Sequence, residues 1–442
     1  MIVPAISRDW KRLALVLGGE SMQSGLHFGL NLALMTLLPA REYGTFAFTL
    51  VLGGVGLVYV RSLTAMPAST YIGRARRASF ADFYEGAFGA AALTLCAGVA
   101  AVAALILSTW SDGPALSGGA MVGLWSLRSH LRTVGYARRQ PVAVIAGDAA
   151  FALTGVLASA LALRFATDPL QGVLLALAFA NLAGSAALSL GRRAAPRFDF
   201  RARARSFYLR LCVRLAWSLY SVTATILQGQ GVAFMVVGLA GPAAFAPIAA
   251  MLAFFAPMRI LALSLANMLQ PEISRLAASG DEAGWRAMRR TWTLRAGIIG
   301  LLYGELGLAV IPRLHLKSVE REPVLLIAVA AWALYALVLV YLMPRLLMET
   351  RMRFRAIALI TTAGAVVSVA LTAILLKLTL PAYAILGGTL GEAVVAAATW
   401  RAAAWPKTSR RPANLRFASR DDPSPQDDLT SQDVNCKAEP TA

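Results

Sequence analysis

Cysteine and acidic residues are scarce in this chain. Three cysteines occur in 442 residues: Cys96 in an apolar run, Cys212 beside a basic stretch and Cys436 in the tail. They form no framework, so neither a disulfide scaffold nor a metal site with Cys/His spacing follows. Charge of any kind is low, at 15% of residues, where soluble domains carry about a quarter. A glycine-rich phosphate loop of the Walker type is also missing, which argues against built-in ATP drive.

Hydrophobic residues make up 58% of the chain and the mean hydropathy is +0.62. Together these describe a polytopic, all-α membrane protein. The net charge of +19 would point to nucleic acid in a soluble protein. Here Lys and Arg sit in short loops between apolar runs, so nucleic acid is excluded and lipid headgroups are the anionic neighbours. The N-terminal stretch has a basic start and an apolar run, as a signal peptide does. The run continues past Glu20 to Leu38 without a small-residue cleavage site, and reads as a first retained helix.

A span needs roughly 20 apolar residues. That rule gives twelve: about 13–38, 44–68, 84–108, 117–137, 142–163, 170–190, 213–239, 243–269, 293–312, 323–344, 356–376 and 380–401. The fourth and seventh are the least apolar. Arginines gather in alternate loops, among them Arg74, Arg76 and Arg77, then Arg138 and Arg139, then Arg192 to Arg210, Arg286 to Arg290 and Arg351 to Arg355. The opposite loops carry few, which places both termini in the cytoplasm by the positive-inside rule. The longest external loop, near 313–322, is then about ten residues. A lipid-linked sugar polymerase or ligase needs more chain than that to hold an acceptor, so the reading is a protein without covalent chemistry or cofactor.

The organisation follows: a cytoplasmic N-terminus (1–12), a six-helix bundle (13–190), a basic cytoplasmic loop (191–212), a second six-helix bundle (213–401) and a disordered cytoplasmic tail (402–442). The halves look alike. Residues 39–80 parallel 238–281: a tight turn opens a helix, an Arg follows (Arg61, Arg259), then a Pro (Pro67, Pro271) and an internal loop. Six crossings are an even number, so the repeat is parallel. The second of these helices carries Pro247 and Pro257 in its body and is expected to leave through Asn267, Gln270 and Pro271 into a polar loop. Interior prolines cost about 3 kcal/mol each in water. In a membrane they are tolerated where a neighbour or a cavity satisfies the freed backbone.

Two polar stripes stand out. Glu20, Ser24, His27 and Asn31 share one face of the first helix, and Ser218, Ser221, Thr225 and Gln228 share one face of the seventh. In lipid such faces meet protein or water, so they are expected to line the space between the halves; hydrogen bonding between helices is the plain alternative. Arg61, Arg128 and Arg259 lie at bilayer depth, and Arg132 is a turn nearer the surface. Acidic partners exist in Glu20, Asp148, Glu305 and Glu392, so ion pairs that only hold the bundles together are one reading. The other is a cationic cavity, because guanidinium groups grip phosphate oxygens and stay charged when dry. His27 beside Glu20 is a candidate coupling site for H+.

With this layout the chain resembles the multidrug/oligosaccharidyl-lipid/polysaccharide (MOP) exporter superfamily, and within it the polysaccharide flippase (Wzx-like) branch. The residues that carry the resemblance are Glu20, Ser24, Gly25 and Asn31, the turn Pro39 to Phe46, and the segment Asn267 to Asp281. The resemblance implies a V-shaped pair of bundles with alternating access in the bacterial inner membrane. The implied cargo is an undecaprenyl-pyrophosphate-linked oligosaccharide for surface polysaccharide, with H+ or Na+ coupling and polysaccharide assembly proteins as partners. The headgroup contacts would come from Arg61, Arg259, Arg128, Arg132, Asn31, Ser24, Gln228 and Asn267, and ion coupling from Glu20 and His27. A multidrug-type cation antiporter of the same fold is the alternative; it would want an acidic cavity.

Overall fold

In lipid a long apolar run can satisfy its own backbone only as a helix, and each such run is helical over its described residues. A computed structural model describes residues 22–75, 77–110, 114–192, 195–313, 323–351 and 353–403, and contains no strand among them. The segment 1–12, Glu20, the loop 314–322 and the tail from 404 lie outside the described residues.

The first half consists of α1 (22–37), α2 (Ala40–Arg74), α3 (Ala78–Ser108), α4 (Ala115–Ala137), α5 (Pro141–Phe165) and α6 (Pro169–Arg192). A short helix, α7 (Ala202–Arg214), follows in the stretch expected as a loop. The second half holds α8 (Ala216–Ala240), α9 (Pro242–Ser279), α10 (Glu282–Val310), α11 (Val324–Thr350), α12 (Phe354–Leu378) and α13 (Ile385–Ala402). Ten helices are long and apolar enough to span a membrane among the described residues. The other two of the expected twelve are α1, whose start lies outside them, and α4, whose apolar run is interrupted by Arg128, His130 and Arg132.

Three boundaries differ from the sequence expectation, each for a physical reason. Helix α9 does not end at Pro271; its backbone stays helical to Ser279 and stops at Gly280, which takes the left-handed conformation (φ 72°). Proline removes one donor, but the helix in a membrane protein can continue past it when neighbours cover the break. Helix α10 begins at Glu282, well before the apolar run at 293, because its basic first turns are capped by Asp281, whose carboxylate accepts from the Gly284 N–H at 2.8 Å. Helix α2 runs through Pro67 to Arg74, but winds as a π-turn over Arg61–Ala65.

The two halves meet along α2. At the end of the molecule where α2 and α9 begin, Gly44 lies against the backbone carbonyl of Pro242 with no room for a Cβ. Phe48 packs edge-on against Phe234 and Phe245 of the second half and Trp110 of the first. Toward the arginine-rich end, the Tyr59 and Thr223 hydroxyls share a hydrogen bond of 2.9 Å.

At that arginine-rich end, Glu85 of α3 is buried and holds two arginines. Arg138 Nε donates to it at 2.8 Å and Arg192 Nη2 at 2.6 Å. Asp82 binds Arg138 at 2.7 Å and Arg197 at 2.6 Å. The stretch 195–200 lies on α3, with Asp199 N donating to the Gly86 carbonyl at 2.9 Å. Gly89 leaves no space for a Cβ there, and a Cβ on Gly86 would lie 3.0 Å from that of Asp199. Phe207 of α7 then inserts among Tyr71, Phe83, Tyr84 and Phe88. The connection between the halves is thereby fixed to the first half.

Candidate functional site

The buried polar groups of the first half converge on Asp148 of α5. Arg128 Nη1 donates to Asp148 Oδ1 at 2.8 Å and Arg132 Nη2 to Oδ2 at 2.9 Å. Arg128 also donates from Nε to Asn181 (2.9 Å) and from Nη2 to Gln23 (2.8 Å), and its guanidinium lies 3.8 Å over the Phe151 ring. Arg128, Asp148 and Asn181 are all buried. Among the described residues the two guanidinium groups thus share one carboxylate, and Arg128 adds two amide oxygens and an aromatic face. Arg128 and Arg132 thus tie α4 to α5, α6 and α1, with their donors turned into the bundle.

Of the described residues of the stripe on α1, His27 and Asn31 meet side chains of their own half, and not the space between the halves as expected. Asn31 is buried, donates to the His27 carbonyl at 2.8 Å and accepts from Tyr43 at 3.4 Å. The His27 ring lies 4.9 Å from Trp125 and 5.9 Å from Phe151, and both its nitrogens are buried without a hydrogen-bond partner among the described residues. Ser24 is half-buried. A 4-3-4 spacing fixes that residues share a face; which neighbour the face meets is decided by packing.

In the second half the matching group is Glu392 of α13. Gln228 of α8 and Tyr341 of α11 both donate to its carboxyl. Glu392 is buried and has no ion pair among the described residues. Thr225 is exposed, while the side chains of Ser218, Ser221 and Asn267 lie outside the described ones. Tyr341 was not anticipated: a tyrosine in an apolar run gives no sign of its partner. Nor was the buried pair Thr64–His130 (3.0 Å), which braces the π-turn of α2 against α4.

Arg61 and Arg259 differ from all of these. Arg61 opens the π-turn of α2, and Arg259 lies in the middle of α9, its counterpart in the second half. Both are exposed, and neither makes an ion pair or hydrogen bond among the described residues. Arg259 has Tyr335 of α11 within electrostatic reach. So the structure separates the four bilayer arginines into two that are buried and paired and two that are open, one on each half.

No family model matches the chain, and no curated protein matches it. Solved structures do. The inward-facing conformation of a multidrug resistance MATE family transporter of the MOP superfamily aligns with a TM-score of 0.66 at 13% identity, over 89% of this chain and 97% of that one. Lipid II flippase MurJ, in an inward closed conformation, aligns at 0.61 and 11% identity over 89% and 88%. The chain has the MATE/MurJ-like fold. An outward-facing structure of a multidrug resistance MATE family transporter aligns at 0.53 and 15% identity over 89% and 93%.

Proposed function

We propose that this protein is an alternating-access flippase that moves a lipid-linked oligosaccharide, carried on undecaprenyl pyrophosphate, across the bacterial inner membrane for surface polysaccharide assembly. The observation that carries the reading is the pair Arg61 and Arg259: exposed, without an acidic partner among the described residues, and at corresponding places on α2 and α9. A charge at bilayer depth costs at least about 2.5 kcal/mol, and an unpaired one there needs a ligand or water to answer it. Guanidinium groups from two bundles that rock against each other can hold a pyrophosphate in both states. Short loops fit a lipid whose tail stays in the bilayer while its head crosses.

In this reading both termini are cytoplasmic and the arginine-rich end faces the cytoplasm. The seal of Gly44 on Pro242 then closes the outer side, and the site is open inward. Arg128 and Arg132 act through the Asp148 network as the frame of the first half, and Gln228 through Glu392 as that of the second. Glu20 and His27 are the proposed H+ or Na+ coupling groups.

A second reading, a multidrug-type cation antiporter, draws support from Glu392, a buried carboxyl with neutral partners, which could answer an organic cation. The test that separates them follows radiolabelled lipid-linked oligosaccharide in a deletion strain and in the complemented strain. Accumulation on the inner leaflet, reversed by the intact gene, is expected. Normal surface polysaccharide without accumulation, and without a redundant flippase, sinks the flippase reading; organic-cation efflux by the purified protein in liposomes would then favour the antiporter.

A further inference from the structure

The first turns of α10, expected as loop, form a basic face that nothing in the transport reading uses. Arg286, Arg289, Arg290, Thr293 and Leu294 follow one another at helical spacing and line one wall of a cavity of about 460 Å³. Trp400, near the end of α13, forms the other wall, with the Arg289 guanidinium 5.2 Å from its ring centre. Glu282 lies 3.9 Å from Arg286 Nε, with both side chains exposed. Arg289 and Arg290 have no ion pair among the described residues. Thr293 Oγ1 is buried in the same wall and has no hydrogen-bond partner among them.

What the same helix does next tells what chemistry fits. Beyond Leu294, the exposed side chains Ile298, Leu301, Leu302 and Leu306 continue along α10. From Leu294 to Leu306 the run is about 18 Å long at the rise of an α-helix. A cationic cavity with a hydroxyl at the membrane boundary, opening onto an apolar stripe, matches a molecule with a phosphate head and a hydrocarbon tail. The stripe is the apolar face of a span, so a head held in the cavity would have its own hydrocarbon tail beside that face.

We propose that the cavity between α10 and α13 binds the phosphate headgroup of an anionic membrane phospholipid, with Arg286, Arg289 and Arg290 on the phosphate oxygens, Trp400 at the glycerol level and the acyl chain along the Leu294–Leu306 face. The site is separate from Arg61 and Arg259. Bound there, the lipid ties the start of α10 to the end of α13, two helices of the second half.

The test uses the full-length protein in detergent, with native mass spectrometry of lipid retention and short-chain phosphatidylglycerol against phosphatidylcholine as probes. Phosphatidylglycerol is expected to bind at least about tenfold tighter, since each cation near an anionic lipid adds to affinity. The triple variant R286Q/R289Q/R290Q should lose that preference. A triple Arg→Lys variant should keep most of it, which separates lost charge from lost folding. R203Q/R205Q/R210Q on α7 should leave it unchanged. Equal retention of the two lipids by the wild type overturns the proposal, as does full phosphatidylglycerol retention by the triple glutamine variant at a normal elution volume. Displacement of the lipid by millimolar inorganic pyrophosphate, with direct pyrophosphate binding of equal strength, would assign the cavity to a free anion and also overturn it.

Discussion

Gly44 of α2 presses on the backbone carbonyl of Pro242 in α9, so closely that a single added carbon has nowhere to go. The contact joins the two halves at one end, where both helices begin after a turn, at Pro39 and at Gly241 with its φ of 85°. A backbone cannot yield as a flexible side chain can, so a larger residue at 44 must push the halves apart. Gly44→Val is therefore expected to shift the population away from this form, toward one open at the Pro39/Gly241 end. Spin labels on the two halves near that end should report a longer mean distance than in the wild type. An unchanged distance distribution in a folded variant would mean that the seal is not a determinant of the state.

Asp148 supports a different prediction, about stability. It is fully buried and accepts from both Arg128 and Arg132. Asp148→Leu would take from two buried guanidinium groups the carboxylate they share, and breaking such a pair costs about 3–5 kcal/mol. The variant should show a large fall in thermal midpoint, or no folded monomer on size exclusion. Arg132→Met in the same background should recover part of the loss, because one of the two cations that lost this carboxylate is then gone.

Much of the fold was legible because lipid leaves so few options. Runs of about 20 apolar residues became helices over their described residues. What misled was chemistry that means one thing in water and another in a membrane. Pro271 reads as a helix end, yet α9 continues for two turns beyond it. The basic residues of 282–292 read as loop because they are not apolar, although Asp281 caps a helix there. The site was legible only in part. Spacing put Asn31 and His27 on one face, but packing turned that face toward Tyr43, Trp125 and Phe151. Sequence could not separate Arg128 from Arg61 either, because the difference is Asp148, twenty residues away on another helix.

Glu392 offers a test of how a buried carboxyl is held. Its two donors, Tyr341 and Gln228, come from different helices of the second half. Glu392→Gln keeps an oxygen acceptor and nearly the same volume, so its thermal midpoint should stay close to that of the wild type. Glu392→Leu leaves a phenol and an amide without their acceptor, at about 1–3 kcal/mol for each group, and should melt well below it. If both variants melt alike, the two donors have other acceptors within reach.

Arg61 and Arg259 allow the site itself to be tested apart from stability. Neither holds any part of the fold by an ion pair or hydrogen bond among the described residues, so Arg61→Gln and Arg259→Gln should leave expression and thermal midpoint near those of the wild type. Surface substitutions away from such features usually stay within about 0.5 kcal/mol. Transport should nevertheless fall, by about tenfold or more for each, because a charged contact to a phosphate contributes about 1.5–3 kcal/mol. The double variant should be weaker than either alone if both guanidinium groups grip the same head. Lysine at either position should restore only part of the activity, since it keeps the charge but not the two-pronged geometry. The readout is complementation of surface polysaccharide at matched protein levels. Full complementation by the double variant would remove the arginine pair from the mechanism, and with it the main physical reason to prefer an anionic, lipid-linked cargo over an organic cation.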